Sequence, residues 1–90
     1  MNTIRVETPD AIHLARLGVD CWPVWEKDVS EFPWEYADTE TSYLLEGRVI
    51  ATPEGGAPVE IAKGDLVTFP AGMVCTWKVV APLRKRYHFG

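Results

Sequence analysis

The sequence predicts an all-β fold, a small antiparallel sandwich or barrel with one short helix near its N-terminus. From Cys21 onward, short segments of alternating apolar and polar residues follow one another closely. Glycine-containing stretches separate them, and glycine supplies the positive φ that tight turns need. Short strands at this spacing are typical of antiparallel sandwiches and barrels. Four tryptophans in 90 residues suit an interior that few side chains must fill.

The N-terminal region predicts a short edge strand over residues 4–6 and then a helix over about residues 9–17. Thr8 is the predicted N-cap, because its hydroxyl can accept from the free N–H groups of the first turn. Pro9 stands at the first helical position, where no N–H is required. Gly18 is expected to end the helix in the left-handed conformation.

Residues 21–89 are expected to form the barrel, so that residues 1–90 make a single domain. No linker or internal repeat interrupts this part of the chain. Tight turns are predicted at residues 46–47, 54–56 and 63–65, each of which contains glycine.

The last part of the chain predicts two strands, one over residues 74–80 and a second at the C-terminus. Side chains alternate between the two faces of a strand. Cys75 and Trp77 therefore share one face of the first strand, and Lys85 and Tyr87 share one face of the second. The sequence leaves open whether the face that carries Lys85 points inward.

Composition and charge exclude several classes of protein. The net charge of −4 argues against nucleic acid as a partner, since its binding needs a basic surface. No apolar run approaches the roughly 18 residues that cross a membrane, and the first residues lack the features of a secretory signal. We therefore expect a cytoplasmic protein without membrane partners, in which Cys21 and Cys75 are thiols.

The charges are distributed unevenly along the chain. Residues 20–46 hold eight acids and one base, whereas residues 76–90 hold four bases and no acid. The two segments are expected to lie side by side and neutralise each other. The basic run 84–86 is short, so a solvated or internally paired strand is a better interpretation than an anion-binding patch.

Two spaced motifs resemble the signature stretches of the cupin family. The first runs from Glu40 through six residues to Gly47. The second has four fixed positions, which are Gly64, Pro70, Gly72 and Cys75. This resemblance implies a conical antiparallel jelly-roll barrel.

Further stretches resemble one branch of the cupins more narrowly. Residues 21–26, 43–47 and 64–72, together with Trp77 and residues 84–85, are similar to the cupin domain of (S)-ureidoglycine aminohydrolase. The resemblance extends from about residue 19 to residue 89. It implies small, nitrogen-rich substrates, although a fold does not by itself imply a function.

The resemblance also concerns a metal site. Cupins typically hold a metal with two histidines and a glutamate from the first stretch and a histidine from the second. In this sequence the glutamate is kept as Glu40, but the other positions carry Trp34, Tyr36 and Cys75. A carboxylate, a phenol and a thiol are an unusual set for a first-row metal, and an indole is not a ligand. We therefore expect neither a metal nor another cofactor.

Glu40 and Tyr36 are the candidate catalytic residues. The resemblance implies that Glu40 points into the barrel. Burial among aromatic rings favours the neutral form of a carboxyl group, which suits a general acid or base. Alternatively, Glu40 is a buried acid that is paired with a lysine or bonded to a tyrosine. Tyr36 could donate to a ligand or an oxyanion, or it could be a wall residue whose hydroxyl meets Glu40.

The remaining candidates for ligand binding are Trp34, Trp77, Cys75 and Lys85. The two tryptophans could stack on a planar ligand or pack in the core. Cys75 would need a base to act as a nucleophile, and no histidine is placed to provide one, so an apolar filler is the better interpretation. Lys85, if it points inward, could neutralise Glu40 or bind a substrate carboxylate.

Three hypotheses for function follow. The first is a metal-free module that binds a small polar or planar organic ligand, and the second is an acid–base enzyme with Glu40 as the proton carrier. The third is a structural protein with a filled barrel, in which Trp34 and Trp77 would meet. Trp22 and Trp25 are interpreted as core or oligomer contacts. We expect a homodimer, because association stabilises a chain of this size.

Overall fold

A computed structural model describes residues 3–90 of the protein as an antiparallel β-structure with one short helix. The elements are β1 (Arg5–Glu7), α1 (Ala11–Leu17), a 3₁₀ turn (Val19–Cys21), β2 (Val24–Lys27), β3 (Ser30–Glu35), β4 (Glu40–Pro53), β5 (Val59–Ala62), β6 (Leu66–Phe69) and β7 (Val74–Phe89). The predicted all-β fold class with an N-terminal helix is confirmed.

Strands β4 and β7 form the centre of the sheet and pair with each other along most of their length. The strand order is β1-β6-β4-β7-β2, and β5 and β3 pair with β4 and β7 respectively. Each long strand changes its outer partner midway: β4 pairs first with β6 and then with β5, and β7 pairs first with β3 and then with β2. The sheet therefore wraps around one core.

The helix begins two residues later than the sequence predicted. Asp10, not Thr8, is the N-cap, and its carboxylate accepts a hydrogen bond of 2.8 Å from the backbone N–H of His13. A carboxylate is also favoured at the positive end of a helix, which explains why it replaces the predicted hydroxyl. Gly18 ends the helix with a φ of 71°, as expected. At seven residues, this helix is too short to cross a membrane, and no other helix among residues 3–90 can do so.

The turns predicted at residues 54–56 and 63–65 are confirmed, but the turn predicted at residues 46–47 is wrong. Strand β4 continues through Gly47, and the separate strands predicted after residue 74 are the single strand β7. The ladder between β4 and β7 instead shifts its register between Leu44 and Val49. Bulges of this kind absorb extra residues while the two strands stay paired.

The bulge changes which residues of β4 face inward. Before it, the buried positions are Glu40, Ser42 and Leu44; after it, they are Val49 and Ala51. A one-residue offset exchanges the two faces of a strand. The bulge therefore lets both halves of one long strand bury side chains.

The core lies between the two halves of the wrapped sheet. Its buried members are Tyr36, Leu44, Val49, Ala51, Ile61, Val67, Phe69, Met73, Cys75, Trp77, Val79 and Leu83. The alternation predicted for residues 74–80 is confirmed, because Thr76 and Lys78 are exposed between buried neighbours. The ring of Phe69 lies 4.6 Å from that of Tyr36 and 5.6 Å from that of Trp77, measured between centroids.

The acidic and basic segments do lie side by side. Strands β2, β3 and β4, which carry most of the acids of residues 20–46, all pair with β7. Two ion pairs join the segments: Glu26 to Arg84 at 3.8 Å on the surface, and Glu40 to Lys85 at 2.8 Å in the interior.

Replacement of Gly47 by alanine is expected to be far more damaging than the same change at Gly64. Both glycines have positive φ, 97° and 92°. A Cβ at Gly47 would also lie 2.8 Å from the Cα of Leu83, whereas nothing lies within 4 Å of one at Gly64. We expect Gly64→Ala to cost about 1–2 kcal/mol from backbone strain, and Gly47→Ala to cost at least ~3 kcal/mol from strain plus overlap.

Urea denaturation of the two variants and the wild type measures both costs. Equal losses of stability would show that the close approach of the two long strands at Gly47 is unimportant.

Candidate functional site

A cavity of about 190 Å³ lies between the strands at one end of the wrapped sheet. Nine side chains line it: Trp25, Phe32, Trp34, Tyr36, Glu40, Trp77, Lys85, Tyr87 and Phe89. Seven of the nine are aromatic, and the other two carry opposite charges. The cavity reaches the surface, because Trp34 and Phe89 are both about half exposed. Of the six predicted site residues, five line the cavity and Cys75 does not.

Alternation along β7 explains how one strand supplies four lining residues. Trp77, Lys85, Tyr87 and Phe89 are all at odd positions and share the inner face of the sheet. Lys85 is 6% exposed, which answers the question that the sequence left open: its side chain points inward.

Glu40 and Lys85 form a buried ion pair. The Nζ of Lys85 lies 2.8 Å from Oε2 of Glu40, and the two side chains are 7% and 4% exposed. Ser42 donates a second hydrogen bond, of 2.7 Å, to the same oxygen. The sequence left open whether a buried Glu40 would pair with a lysine or bond to a tyrosine. In the structure it pairs with a lysine, Lys85. Such a pair tolerates burial because each charge compensates the other.

Two indole rings flank the ammonium group of Lys85. Its Nζ lies 4.6 Å from the ring centroid of Trp77 and 5.1 Å from that of Trp25, within the range of cation–π attraction. Desolvation by this burial lowers the pKa of Lys85, and the neighbouring Glu40 opposes the shift without cancelling it. The amine is therefore easier to deprotonate than that of a surface lysine.

The second oxygen of Glu40 accepts no side-chain hydrogen bond from residues 3–90. Both side-chain hydrogen bonds of the carboxylate fall on Oε2. No buried side-chain nitrogen or oxygen among residues 3–90 lacks a hydrogen-bond partner. Because Oε1 accepts no bond from this part of the chain and is not among its buried unpaired atoms, it is not fully buried, and Glu40 lines the cavity.

Tyr36 is a buried phenol at the cavity wall. Its hydroxyl accepts a hydrogen bond of 2.9 Å from Nε1 of Trp77, so it meets Trp77 rather than Glu40. Burial, and secondly the charge of Glu40, raise the pKa of Tyr36 far above its ordinary value. The hydroxyl therefore stays protonated. Its proton is not donated to any of the residues that the structure describes.

The two tryptophans at matched positions have different surroundings. Trp34 is 46% exposed at the rim of the cavity, whereas Trp77 is buried, stacks on Phe32 and packs at a tilt against Phe69. A filled barrel would bring Trp34 and Trp77 together. In the described part of the chain the rings packed against Trp77 are those of the two phenylalanines, and the cavity remains open.

Cys75 belongs to the core and not to the cavity. Burial raises the pKa of its thiol, which disfavours the reactive thiolate. His88, one of the two histidines, stacks on Trp22 at 5.4 Å between ring centroids. These facts support the interpretation of Cys75 as an apolar filler.

The residues do not fit the metal of a typical cupin. Within residues 3–90, no three His, Cys, Asp or Glu side chains come together in a way that could hold a metal ion. At the matched positions, Glu40 is bound to Lys85 and Cys75 faces the core.

Four lining residues were not among the predicted candidates: Trp25, Phe32, Tyr87 and Phe89. Trp25 had been interpreted as a core or oligomer contact. It lies directly opposite Lys85 in the pairing of β2 with β7, and its ring meets Phe32 edge to face. Tyr87 and Phe89 follow from alternation once Lys85 is known to point inward, but the sequence held no signal for that orientation.

An antiparallel sheet that wraps around a core and holds a cavity between its strands defines the class of protein, which is a cupin. The sequence profile of the EutQ-like cupin domain matches residues 14–87, and the chain belongs to this family. The narrower resemblance to the aminohydrolase cupin domain is not supported by this match. A search of curated proteins finds no match.

Solved structures agree with this assignment. A DUF861 family protein from Thermotoga maritima is 50% identical, with a TM-score of 0.96 over 98% of this chain and 100% of that chain. A DUF861 family protein of unknown function from Pseudomonas syringae is 31% identical, with a TM-score of 0.65 over 71% of this chain and 28% of that one. The EutQ protein of Clostridium difficile, at 23% identity and a TM-score of 0.65, covers 71% of this chain and 50% of its own, and it shares the fold.

Breaking the buried ion pair from one side is expected to cost more than replacing both partners. Lys85→Met leaves the Glu40 carboxylate buried with Ser42 as its remaining donor, and we expect a loss of about 3–5 kcal/mol. The double variant Glu40→Gln, Lys85→Met removes both charges, so most of that loss should be recovered.

Urea denaturation of the four proteins of this double-mutant cycle measures the coupling. If the double variant loses the sum of the two single losses, the two charges do not stabilise each other.

Proposed function

We propose that this cupin domain binds a small, uncharged, planar organic molecule that carries at least one polar group. One observation carries the proposal: a buried Glu40–Lys85 pair is the charged part of a cavity whose other walls are aromatic. Ligand sites are typically apolar cavities with a few well-placed polar groups.

The charges of the lining favour a neutral ligand. Glu40 and Lys85 compensate each other, and no further charged residue is among the nine that line the cavity. A ligand with a net charge would enter this site without a free counter-charge, at a large desolvation cost. A ligand with both a hydrogen-bond acceptor and a hydrogen-bond donor can bind the Lys85 ammonium and Oε1 of Glu40 at the same time.

The shape of the lining favours a flat ligand of small size. A volume of about 190 Å³ is below the ~300–1,000 Å³ of pockets for drug-sized molecules. The half-exposed ring of Trp34 stands at the rim, where it can stack on the face of a planar molecule.

Removal of the Trp34 ring is expected to weaken ligand binding without loss of the fold. Thermal-shift screening of neutral planar metabolites should give at least one stabilising compound, and calorimetry should then give its affinity. We expect Trp34→Ala to weaken it about tenfold, because aromatic contacts contribute roughly 0.5–1.5 kcal/mol beyond burial.

Val29→Ala serves as the matched control, since Val29 is 62% exposed and does not line the cavity. It should bind as the wild type does. A broad set of compounds without a single stabiliser, or unchanged affinity in Trp34→Ala, would contradict the proposal.

A second candidate function is acid–base catalysis, isomerase- or aminohydrolase-like, on a small nitrogen-rich metabolite. Its support is the contact of 2.8 Å between Glu40 and Lys85 beside the protonated hydroxyl of Tyr36. In this mechanism Glu40 carries the proton, and Tyr36 or Lys85 polarises the substrate. Glu40→Gln should then abolish turnover of any substrate found, with circular dichroism as the check on folding; full activity in this variant would refute the role.

We also propose that the domain forms a homodimer, whichever ligand it binds. Its support is the set of exposed apolar side chains, which includes Ile12, Val29 and Phe89. Light scattering at micromolar concentration should give the mass of two chains. A monomer under these conditions would refute the dimer.

A further inference from the structure

We propose that Lys85 captures a small neutral aldehyde or ketone as a reversible imine, with Glu40 as the proton carrier. This inference rests on the proposed function, because the cavity must first admit a planar organic molecule. It adds a covalent step and the chemical class of the ligand.

The position of Lys85 distinguishes it from the other lysines. Lys85 lines the cavity, its Nζ lies 5.1 Å from the ring centroid of Trp25 and 4.6 Å from that of Trp77, and the side chain is 7% exposed. The remaining lysines, Lys27, Lys63 and Lys78, are exposed to solvent. A carbonyl group in the cavity would therefore meet one amine that is largely shielded from water.

The nucleophile in such a reaction is the neutral amine, so a proton must first leave Lys85. Oε2 of Glu40, at 2.8 Å, is in hydrogen-bond contact with the Nζ and can accept it. Burial also lowers the pKa of Lys85, which increases the fraction of neutral amine. Lysines that are desolvated in apolar pockets are typical nucleophiles for carbonyl compounds.

The steps balance without any further reactant. Glu40 takes a proton from the Lys85 ammonium, and the neutral nitrogen attacks the carbonyl carbon, so that a C–N bond forms as the C=O π bond breaks. Glu40 carries a proton from nitrogen to oxygen to give the carbinolamine. The protonated Glu40 then gives its proton to the hydroxyl, water leaves, and the nitrogen lone pair forms C=N. The products are a protonated imine, one water and the Glu40 carboxylate.

The product suits this site as well as the starting pair does. The protonated imine carries the same single positive charge as the ammonium, and it remains beside the Glu40 carboxylate and the two indole rings. No new charge is buried, so the reaction avoids the main cost of covalent chemistry in an apolar cavity. Tyr36 lines the same cavity, and its hydroxyl donates to none of the residues that the structure describes, so its proton suits a carbonyl oxygen.

The lining also selects among carbonyl compounds. A keto acid brings a carboxylate, and Lys85 is the one cation among the nine lining residues. Its charge is already compensated by Glu40. A neutral aldehyde or ketone with a flat apolar body can instead pack against the seven aromatic side chains of the lining.

Reductive trapping with benzaldehyde and cyanoborohydride tests the inference on the intact wild-type protein. Intact-mass and peptide mass spectrometry locate the reduced adduct among the four lysines. General acid–base assistance is typically worth about 10²-fold or more, so we expect Lys85 to be labelled at least ~tenfold faster than Lys63 or Lys78. Labelling of Lys85 at or below the rate of these surface lysines would overturn the inference.

Glu40→Gln tests the proton carrier. Its labelling of Lys85 should be slower, and the pH dependence of the rate should differ from that of the wild type, while labelling of Lys63 is unchanged. An unchanged rate and pH profile at Lys85 would refute the role of Glu40. The wild-type comparison among lysines does not depend on whether this variant folds.

Benzamide, which is flat and neutral but forms no imine, separates this inference from the proposed function. Binding of benzamide by calorimetry, together with unselective labelling, would overturn the imine and leave the binding function standing. If benzamide does not bind, the labelling is unselective and the screen of neutral planar metabolites finds no stabiliser, both proposals fail.

Discussion

The buried contact between Glu40 and Lys85 is the constraint on which the rest of the site depends. Neither charge could remain in this interior alone, because desolvation of a single ion costs several kcal/mol. Together they allow an aromatic cavity to hold a proton donor and a proton acceptor in contact. The indole rings of Trp25 and Trp77 add attraction to the cation, and Ser42 adds a donor to the anion. The two charged groups of the site can therefore stay buried only because neighbouring side chains pack against them and bond to them.

The scaffold for this contact is the pairing of the two long strands. Strand β4 contributes Glu40, which lies opposite Phe89 in the antiparallel ladder, and β7 contributes Lys85, which lies opposite Leu44. The bulge at Gly47 leaves this half of the ladder undisturbed and turns the second half of β4 so that Val49 and Ala51 enter the core. One strand thus serves the cavity with one half and the apolar core with the other.

The sequence allowed much of the fold to be predicted and part of the site. The alternation at residues 74–80 and the glycines of two turns were sufficient to predict the strands around them, because these signals are local. Gly47 was misinterpreted, since a glycine that permits close approach of another strand and a glycine in a turn look alike in sequence. The inward direction of Lys85 depends on its partner 45 residues away, and Trp25 joins the site through the pairing of β2 with β7. Long-range pairing of this kind leaves no local signal.

The same ion pair has a consequence for how the chain finds its register. A slip of one residue between β4 and β7 would turn Lys85 toward solvent, because neighbouring residues of a strand face opposite sides. Glu40 would then stay buried without a counter-charge, which costs several kcal/mol in a domain whose whole stability is on the order of 5–10 kcal/mol. An apolar pair at these positions would tolerate the slip more readily. The charges in the cavity therefore also discriminate between the native alignment of the two longest strands and its nearest competitors.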